Sequence, residues 1–167
     1  MPENVLIRVV HSNDQAAWQP LWDGYNAFYG RAGTTALPQH ITNATWARFF
    51  DASEPVFGLV AERVADSQPL GHGQTARSGP LVGLVHYLYH RSTTRFELTC
   101  YLQDLFTAPQ ERGTGVGRAL IQGVYQHAKA AGIQRVYWQT HQTNAAGRLL
   151  YDKVAQHMGF IVYSHDV

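Results

Sequence analysis

The sequence predicts a three-layer α+β fold, α/β/α, with a central sheet and helices on both faces. Three observations carry that reading. Segments with strand periodicity alternate with segments of helical period along all 167 residues. The runs "VFGLVAE" (56–62) and "LVGLVHYLYH" (81–90) flank a connection rich in Gly, Ser and Pro, so they read as one hairpin with a long loop. "FELTCYLQDLF" (96–106) is long and mostly apolar, as a strand covered on both faces must be.

The elements follow in order. "VLIRVV" (5–10) is the first strand. In "DQAAWQPLWDGYNAFYG" (14–30), Trp18, Leu21, Trp22, Tyr25, Phe28 and Tyr29 recur at helical spacing, and Asp14 stands where a cap belongs. "TNATWARFF" (42–50) is a second, short helix. The hairpin strands and the long apolar strand come next. "RALIQGVYQHAKAAG" (118–132) continues a helix that places Val116, Leu120, Ile121, Val124 and Ala128 on one face, and Gly132 closes it. "RVYWQT" (135–140) is a strand, "NAAGRLLYDKVAQHM" (144–158) the last helix and "FIVYS" (160–164) the last strand. The length suits one domain, 1–167.

Composition narrows the function classes. Hydrophobic residues make up 45% and charged residues 15%, a globular balance. The net charge of +1 leaves no electrostatic footprint for nucleic acid or for a membrane surface. Cys100 is the single cysteine, which rules out an internal disulfide and fits a reducing compartment. The start "MPENVLIRVV" lacks the basic leader of a signal peptide, and no apolar run approaches a membrane span, so a cytoplasmic location is expected. The nine histidines are scattered without metal-ligand spacing, and no metal is expected.

The chemistry concentrates at "ERGTGVG" (111–117). Three glycines at the junction of a strand and a helix let backbone N–H groups point inward together. The helix N-terminus adds free donors and the positive end of its dipole. That combination suits a phosphate or pyrophosphate, and Arg112 and Arg118 flank it. A P-loop is excluded, because the lysines are Lys129 and Lys153 and neither follows the turn. A dinucleotide fingerprint fails because Arg118 stands where its third glycine belongs. The spacing that fits is Arg-x-x-Gly-x-Gly, as Arg112, Gly115 and Gly117.

"LQDLFTAPQERGTGVGRALI", followed by "VYWQTHQTNAAGRLLYDKV", resembles the GNAT superfamily of N-acetyltransferases, most clearly from Leu98 to Phe160. Within it, "YLQDLF" is similar to the polyamine and small-amine acetyltransferases. The resemblance implies a mixed, largely antiparallel sheet of six to seven strands, splayed between two central strands, with acetyl-CoA in the splay. It implies a pyrophosphate on the amides of Gly113, Thr114, Gly115, Val116, Gly117 and Arg118, beside Arg112. Backbone groups of Leu105, Phe106 and Thr107 would hold the pantetheine arm. Asn144 would contact the cofactor and Tyr151 would sit beside its sulfur. A homodimer paired through the C-terminal strand is also implied.

Transfer to an amine builds negative charge on the thioester oxygen, so a backbone N–H must be aimed there; Leu105 or Phe106 is the candidate. The leaving thiolate needs a proton, which Tyr151 can supply; on an apolar helix face the same tyrosine could equally be core. Asp104 is a candidate catalytic carboxylate, or a residue that only sets backbone geometry. Gln103 stands where the polyamine group has glutamate, which removes a charge that could face an amine. Trp22, Tyr25 and Tyr29 pack as core on one edge and can wall the acceptor site on another. His86 is a strand histidine that could face the acceptor, and His72 in the long loop reads as solvated. Gly159-Phe160 follows Tyr151 by eight residues, roughly one helical turn more than many relatives. The expected activity is acetyl-CoA-dependent N-acetylation of the primary amine of a small molecule, a polyamine, diamine or amino-acid-like compound. A non-catalytic acyl-CoA sensor and a protein-lysine acetyltransferase are the alternatives.

Overall fold

In a computed structural model, residues 4–64 and 78–167 are described. Most of the hairpin loop, with His72, lies outside them. The elements are β1 (Val5–Val9), α1 (Gln15–Phe28), α2 (Gln39–Arg48), β2 (Val56–Val64), β3 (Ser78–His90), β4 (Thr99–Thr107), α3 (Val116–Ala130), β5 (Val136–Tyr137) and α4 (Ala145–Tyr151). Their order agrees with the expected alternation, and β2 and β3 pair antiparallel as one hairpin.

The sheet runs β1-β2-β3-β4-β5. Each neighbouring pair among the first four strands is antiparallel and β5 lies parallel to β4, so the sheet is mixed. Five strands form among the described residues, not the six to seven expected. The difference is "FIVYS", which forms no strand here. Phe160 is 79% and Tyr163 86% exposed, with Ile161 and Val162 exposed between them. A strand needs a free edge to pair with. The outer edge of this sheet is β5, which offers only two paired residues. The last helix is also shorter than the pattern suggests. After Tyr151 the chain turns, with the Val154 N–H donating to Tyr151 O, so the extra residues before Gly159 do not extend the helix.

Two cores sandwich the sheet. On one face α3 sets Val116, Leu120, Ile121 and Val124 against Leu59, Val85, Cys100 and Leu102. Gly83 lets α3 come close, since a Cβ there would lie 2.9 Å from Phe106 O and 3.0 Å from Leu120 Cδ1. On the other face α1 and α2 set Trp18, Leu21, Trp22 and Trp46 against Val60, Leu84 and Phe106. Gly132 (φ 74°) closes α3 as expected, with the Ile133 N–H donating to Ala128 O. Asp14 does not cap α1 through its side chain. Its carboxylate instead accepts from the His11 N–H at 2.7 Å and from Arg8, which also pairs with Glu62. An arginine on the neighbouring strand outcompetes a helix amide for that carboxylate.

β4 carries a bulge that positions the site. The register passes from His86↔Asp104 to Tyr87↔Leu102, leaving Gln103 unmatched. One extra residue reverses the alternation of faces. Leu102 therefore packs under α3, while Asp104 enters the opposite face beside His86 and α1.

Candidate active site

β4 and β5 pair only at Cys100↔Val136 and Tyr101↔Tyr137. Beyond Tyr101 they part, and the remaining length of β4 has an open edge. The direction of its backbone groups follows from one hydrogen bond. The Ala108 N–H donates to Val82 O at 2.9 Å, so it faces β3. Backbone groups alternate sides along a ladder, so Asp104 and Phe106 also face β3. Leu105 and Thr107 present their N–H and C=O groups to the opening. Of the two oxyanion candidates, Leu105 thus has the free N–H, and Phe106 engages the sheet.

The opening continues into a cleft of about 790 Å³ lined by Leu105, Thr107, Arg112, Gly115, Asn144 and Tyr151, among others. Its floor is the start of α3. Gly115 takes the left-handed conformation (φ 95°) at the N-cap, Gly113 does likewise (φ 81°), and no side chain caps the helix. The amides of Val116, Gly117 and Arg118 are the first-turn donors of an uncapped helix. A Cβ at Gly117 would lie 3.2 Å from Leu150 Cδ2, so a side chain there would press into the groove between α3 and α4. Arg112 and Arg118 are exposed beside the turn. Glu111, the nearest acidic residue, is paired with Arg63, which offsets its charge. These residues fit an anionic group carried on a long flexible arm, as coenzyme A has.

Asn144 caps α4. Its Oδ1 accepts from the Gly147 N–H at 3.1 Å, and its Nδ2 donates to Thr140 Oγ1 at 2.9 Å. Gly147 is required for this cap, since a Cβ there would lie 2.5 Å from Asn144 Nδ2. Asn144 lines the cleft, and its second amide hydrogen has no partner among the described residues. The Thr140 hydroxyl faces the phenols of both Tyr151 and Tyr29. Burial, aided by the neighbouring Tyr29, raises the Tyr151 phenol above its ordinary value, against the opposing pull of Thr140. Tyr151 therefore keeps its proton and is an O–H donor at neutral pH. Its ring packs edge-on against Trp138 at 5.4 Å.

The far wall comes from α1. Tyr25 and Tyr29 line the cleft, and Trp22 stacks on Tyr25 at 5.3 Å. Burial first, then the facing Asp104 carboxylate, pushes the Tyr25 phenol well up. His86 does not reach the cleft. It is 3% exposed, accepts from Trp18 Nε1–H at Nε2 (3.0 Å) and meets Asp104 Oδ2 at Nδ1 (3.0 Å). An indole N–H can only donate, so the hydrogen of His86 sits on Nδ1 and goes to Asp104. His86 holds the carboxylate from behind and is not an acceptor contact. Gln103 is exposed on the bulge, at the open edge of β4.

Thr140, Gly147 and Arg31 were not singled out from sequence, and Trp18 was read only as part of the aromatic stripe of its helix. Thr140 was read only as the end of a strand, and the polar run from Gln139 to Asn144 has no pattern that sets it apart. Gly147 could have been read from its place three residues after a capping asparagine.

The match to known proteins agrees with this geometry. The model of the acetyltransferase (GNAT) family matches residues 18–156. The D-amino-acid N-acetyltransferase HPA3 of Saccharomyces cerevisiae is 30% identical over 98% of this chain and 92% of its own length. The uncharacterized N-acetyltransferase YhfO of Bacillus subtilis is 25% identical over 96% of this chain and 97% of its own. Among solved structures, AAC(6')-Iy in complex with a bisubstrate analog has the same fold, with a TM-score of 0.75 at 14% identity over 98% of both chains. The fold and the cleft define an N-acetyltransferase. The chain belongs to the GNAT family and is an acetyl-CoA-dependent acyltransferase, coenzyme A binding being general to that family. Among the described residues no helix is long and apolar enough to cross a membrane.

Proposed function

We propose that the protein transfers the acetyl group of acetyl-CoA to the primary amine of a small molecule, by direct attack within a ternary complex. The observation that carries this reading is the parting of β4 and β5. It sets the free Leu105 N–H, the uncapped start of α3 and the Tyr151 phenol around one cleft. The small-molecule acceptor named for the yeast relative points the same way.

Each residue has a role in this proposal. The amides from Gly113 to Arg118, with Arg112, hold the pyrophosphate, and Leu105 and Thr107 hold the pantetheine arm in strand-like fashion. Phe106 supports that edge from within the sheet. Asn144 orients α4 and offers its remaining amide hydrogen to the cofactor. The amine nitrogen attacks the carbonyl carbon, and the Leu105 N–H takes the charge that develops on oxygen. Asp104, through the Tyr25 hydroxyl or a water, draws the ammonium in and passes its surplus proton to solvent. As the carbon–sulfur bond breaks, Tyr151 gives its proton to the sulfur, and the second proton that the nitrogen sheds on becoming an amide passes through water to restore the phenol. Trp22, Tyr25 and Tyr29 wall the acceptor, and Gln103 borders its entrance. The direct test mixes protein, acetyl-CoA and an amine panel and follows free thiol release. Acetyl-CoA binding without thiol release on any amine would overturn the proposal.

We further propose a homodimer in a single-domain protein. The exposed run from Phe160 to Tyr163 supports it, being an apolar segment that no other described residue covers.

A further inference from the structure

Arg31 is held in place unlike an ordinary surface arginine. Gly30 (φ 78°) turns the chain back at the end of α1, and the Arg31 N–H donates to Asn26 O at 2.9 Å. Its Nε donates to Asn26 Oδ1 at 2.7 Å. Asn26 is itself 3% exposed and anchored through Nδ2 to Trp22 O at 2.9 Å. The guanidinium so aimed stands 6.0 Å from the Tyr25 ring centre and 5.7 Å from that of Tyr29, the two rings that wall the cleft. Arg31 has no carboxylate partner among the described residues, a property it shares with other arginines, but it alone among them stands over the rings that wall the acceptor side. Its two terminal nitrogens form an open fork, the shape that binds a carboxylate in bidentate fashion.

Two further facts bear on the ligand. The Trp22 Nε1–H, stacked in the same wall, is buried without a partner among the described residues, and such donors call for an acceptor oxygen. Asp104 faces the hydroxyl end of Tyr25, while Arg31 stands over its ring. The same tyrosine thus has a negative group on one side and a positive group on another. An α-amino acid separates its ammonium and carboxylate by only two covalent bonds, and it needs both charges met within such a short span. A polyamine needs the reverse, because a second ammonium would meet Arg31.

Resting on the acetyltransferase reading, we infer that the acceptor is a zwitterionic α-amino acid, with Arg31 as the specificity-determining residue that takes its carboxylate while the amine turns toward Tyr25 and Asp104. The test compares each enantiomer of phenylalanine with its carboxamide, which keeps the amine and removes the negative charge. The carboxamide's amine is less basic and attacks more readily, so the comparison is biased against the proposal.

In the parent enzyme, kcat/KM for the better enantiomer of the free acid should exceed that for its amide by at least tenfold. Arg31→Gln should collapse this preference toward one, through a rise in KM for the acid. Arg31→Lys, which keeps the charge and loses the fork, should retain part of it. A thermal melt on each variant establishes that it is folded. An amide equal to or better than the acid in the parent would overturn the inference, as would an acid-to-amide ratio unchanged by Arg31→Gln. So would acetylation of simple amines with no turnover of either compound, although the acetyltransferase reading would then stand. Acetyl-CoA binding with no turnover of any amine would end both.

Discussion

Tyr151→Phe separates chemistry from packing at the center of the site. The substitution removes one hydroxyl and keeps the ring, so the edge contact with Trp138 and the burial against α3 persist. What is lost structurally is one polar contact with Thr140, whose oxygen still accepts from Asn144. A hydrogen bond contributes about 1 kcal/mol net, which for a chain of this size lowers Tm by roughly 2–4 °C. What is lost chemically is the proton for the departing sulfur. General acids typically contribute ~10²–10⁴-fold. Burial raises the Tyr151 phenol, making it a weaker acid, and a thiol of pKa about 8.5 leaves without much help. The low end is therefore expected, a fall in kcat of about 10²-fold, or ~2.7 kcal/mol of barrier. Affinity for acetyl-CoA should hardly move. Because its phenol lies above the usual tyrosine range, the parent should show no alkaline loss of kcat from Tyr151 below about pH 10. A disulfide reagent that captures the released thiol gives the rate. Cys100 should not interfere, since it is fully buried and burial pushes its thiol up to about 12. A Tyr151→Phe enzyme within twofold of the parent would show that the sulfur takes its proton elsewhere and that Tyr151 is a packing residue.

Three other outcomes are expected. Gly115→Val should weaken acetyl-CoA binding at least tenfold by calorimetry. It should also cost about 1–2 kcal/mol of stability, since a side chain must enter the left-handed region at φ 95°; a folded variant with parental affinity would refute the phosphate turn. Removing Phe160–Val167 should convert a dimer to a monomer in sedimentation, and a parent that sediments as a monomer at micromolar concentration would reject the dimer. Asp14 is held below the usual carboxylate range, first by its hydrogen bond to Arg8. A lowered native pKa stabilises the fold above the ordinary carboxylate value and is lost as pH falls through the native one. Asp14→Asn should therefore flatten the loss of Tm between about pH 4 and pH 2, and an unchanged acid limb would show that the pair with Arg8 contributes nothing.

The sequence by itself determined most of the elements and pointed to a candidate cofactor side of the site. Helical spacing placed α1 and α3, and the glycine run marked a phosphate turn, because φ above zero and bare backbone are local demands that only glycine meets cheaply. Asn144 and Tyr151 were proposed through the family resemblance of the last helix, whose spacing keeps the two on one element. Tertiary structure decided the acceptor side. Whether Leu105 or Phe106 offers its N–H depends on which edge of β4 faces β3, and that is set by pairing across residues far apart in the chain. The bulge at Gln103 turns Asp104 to the opposite face from Leu102, which alternation along the strand cannot reveal. His86 read as a possible acceptor contact until Trp18, from a helix distant in sequence, fixed its tautomer and turned it toward Asp104. The fate of "FIVYS" was equally beyond local pattern. Its residues have the β-propensity of a strand, but a strand forms only where the chain meets a partner edge in register, and β5 at the end of the sheet is only two residues long.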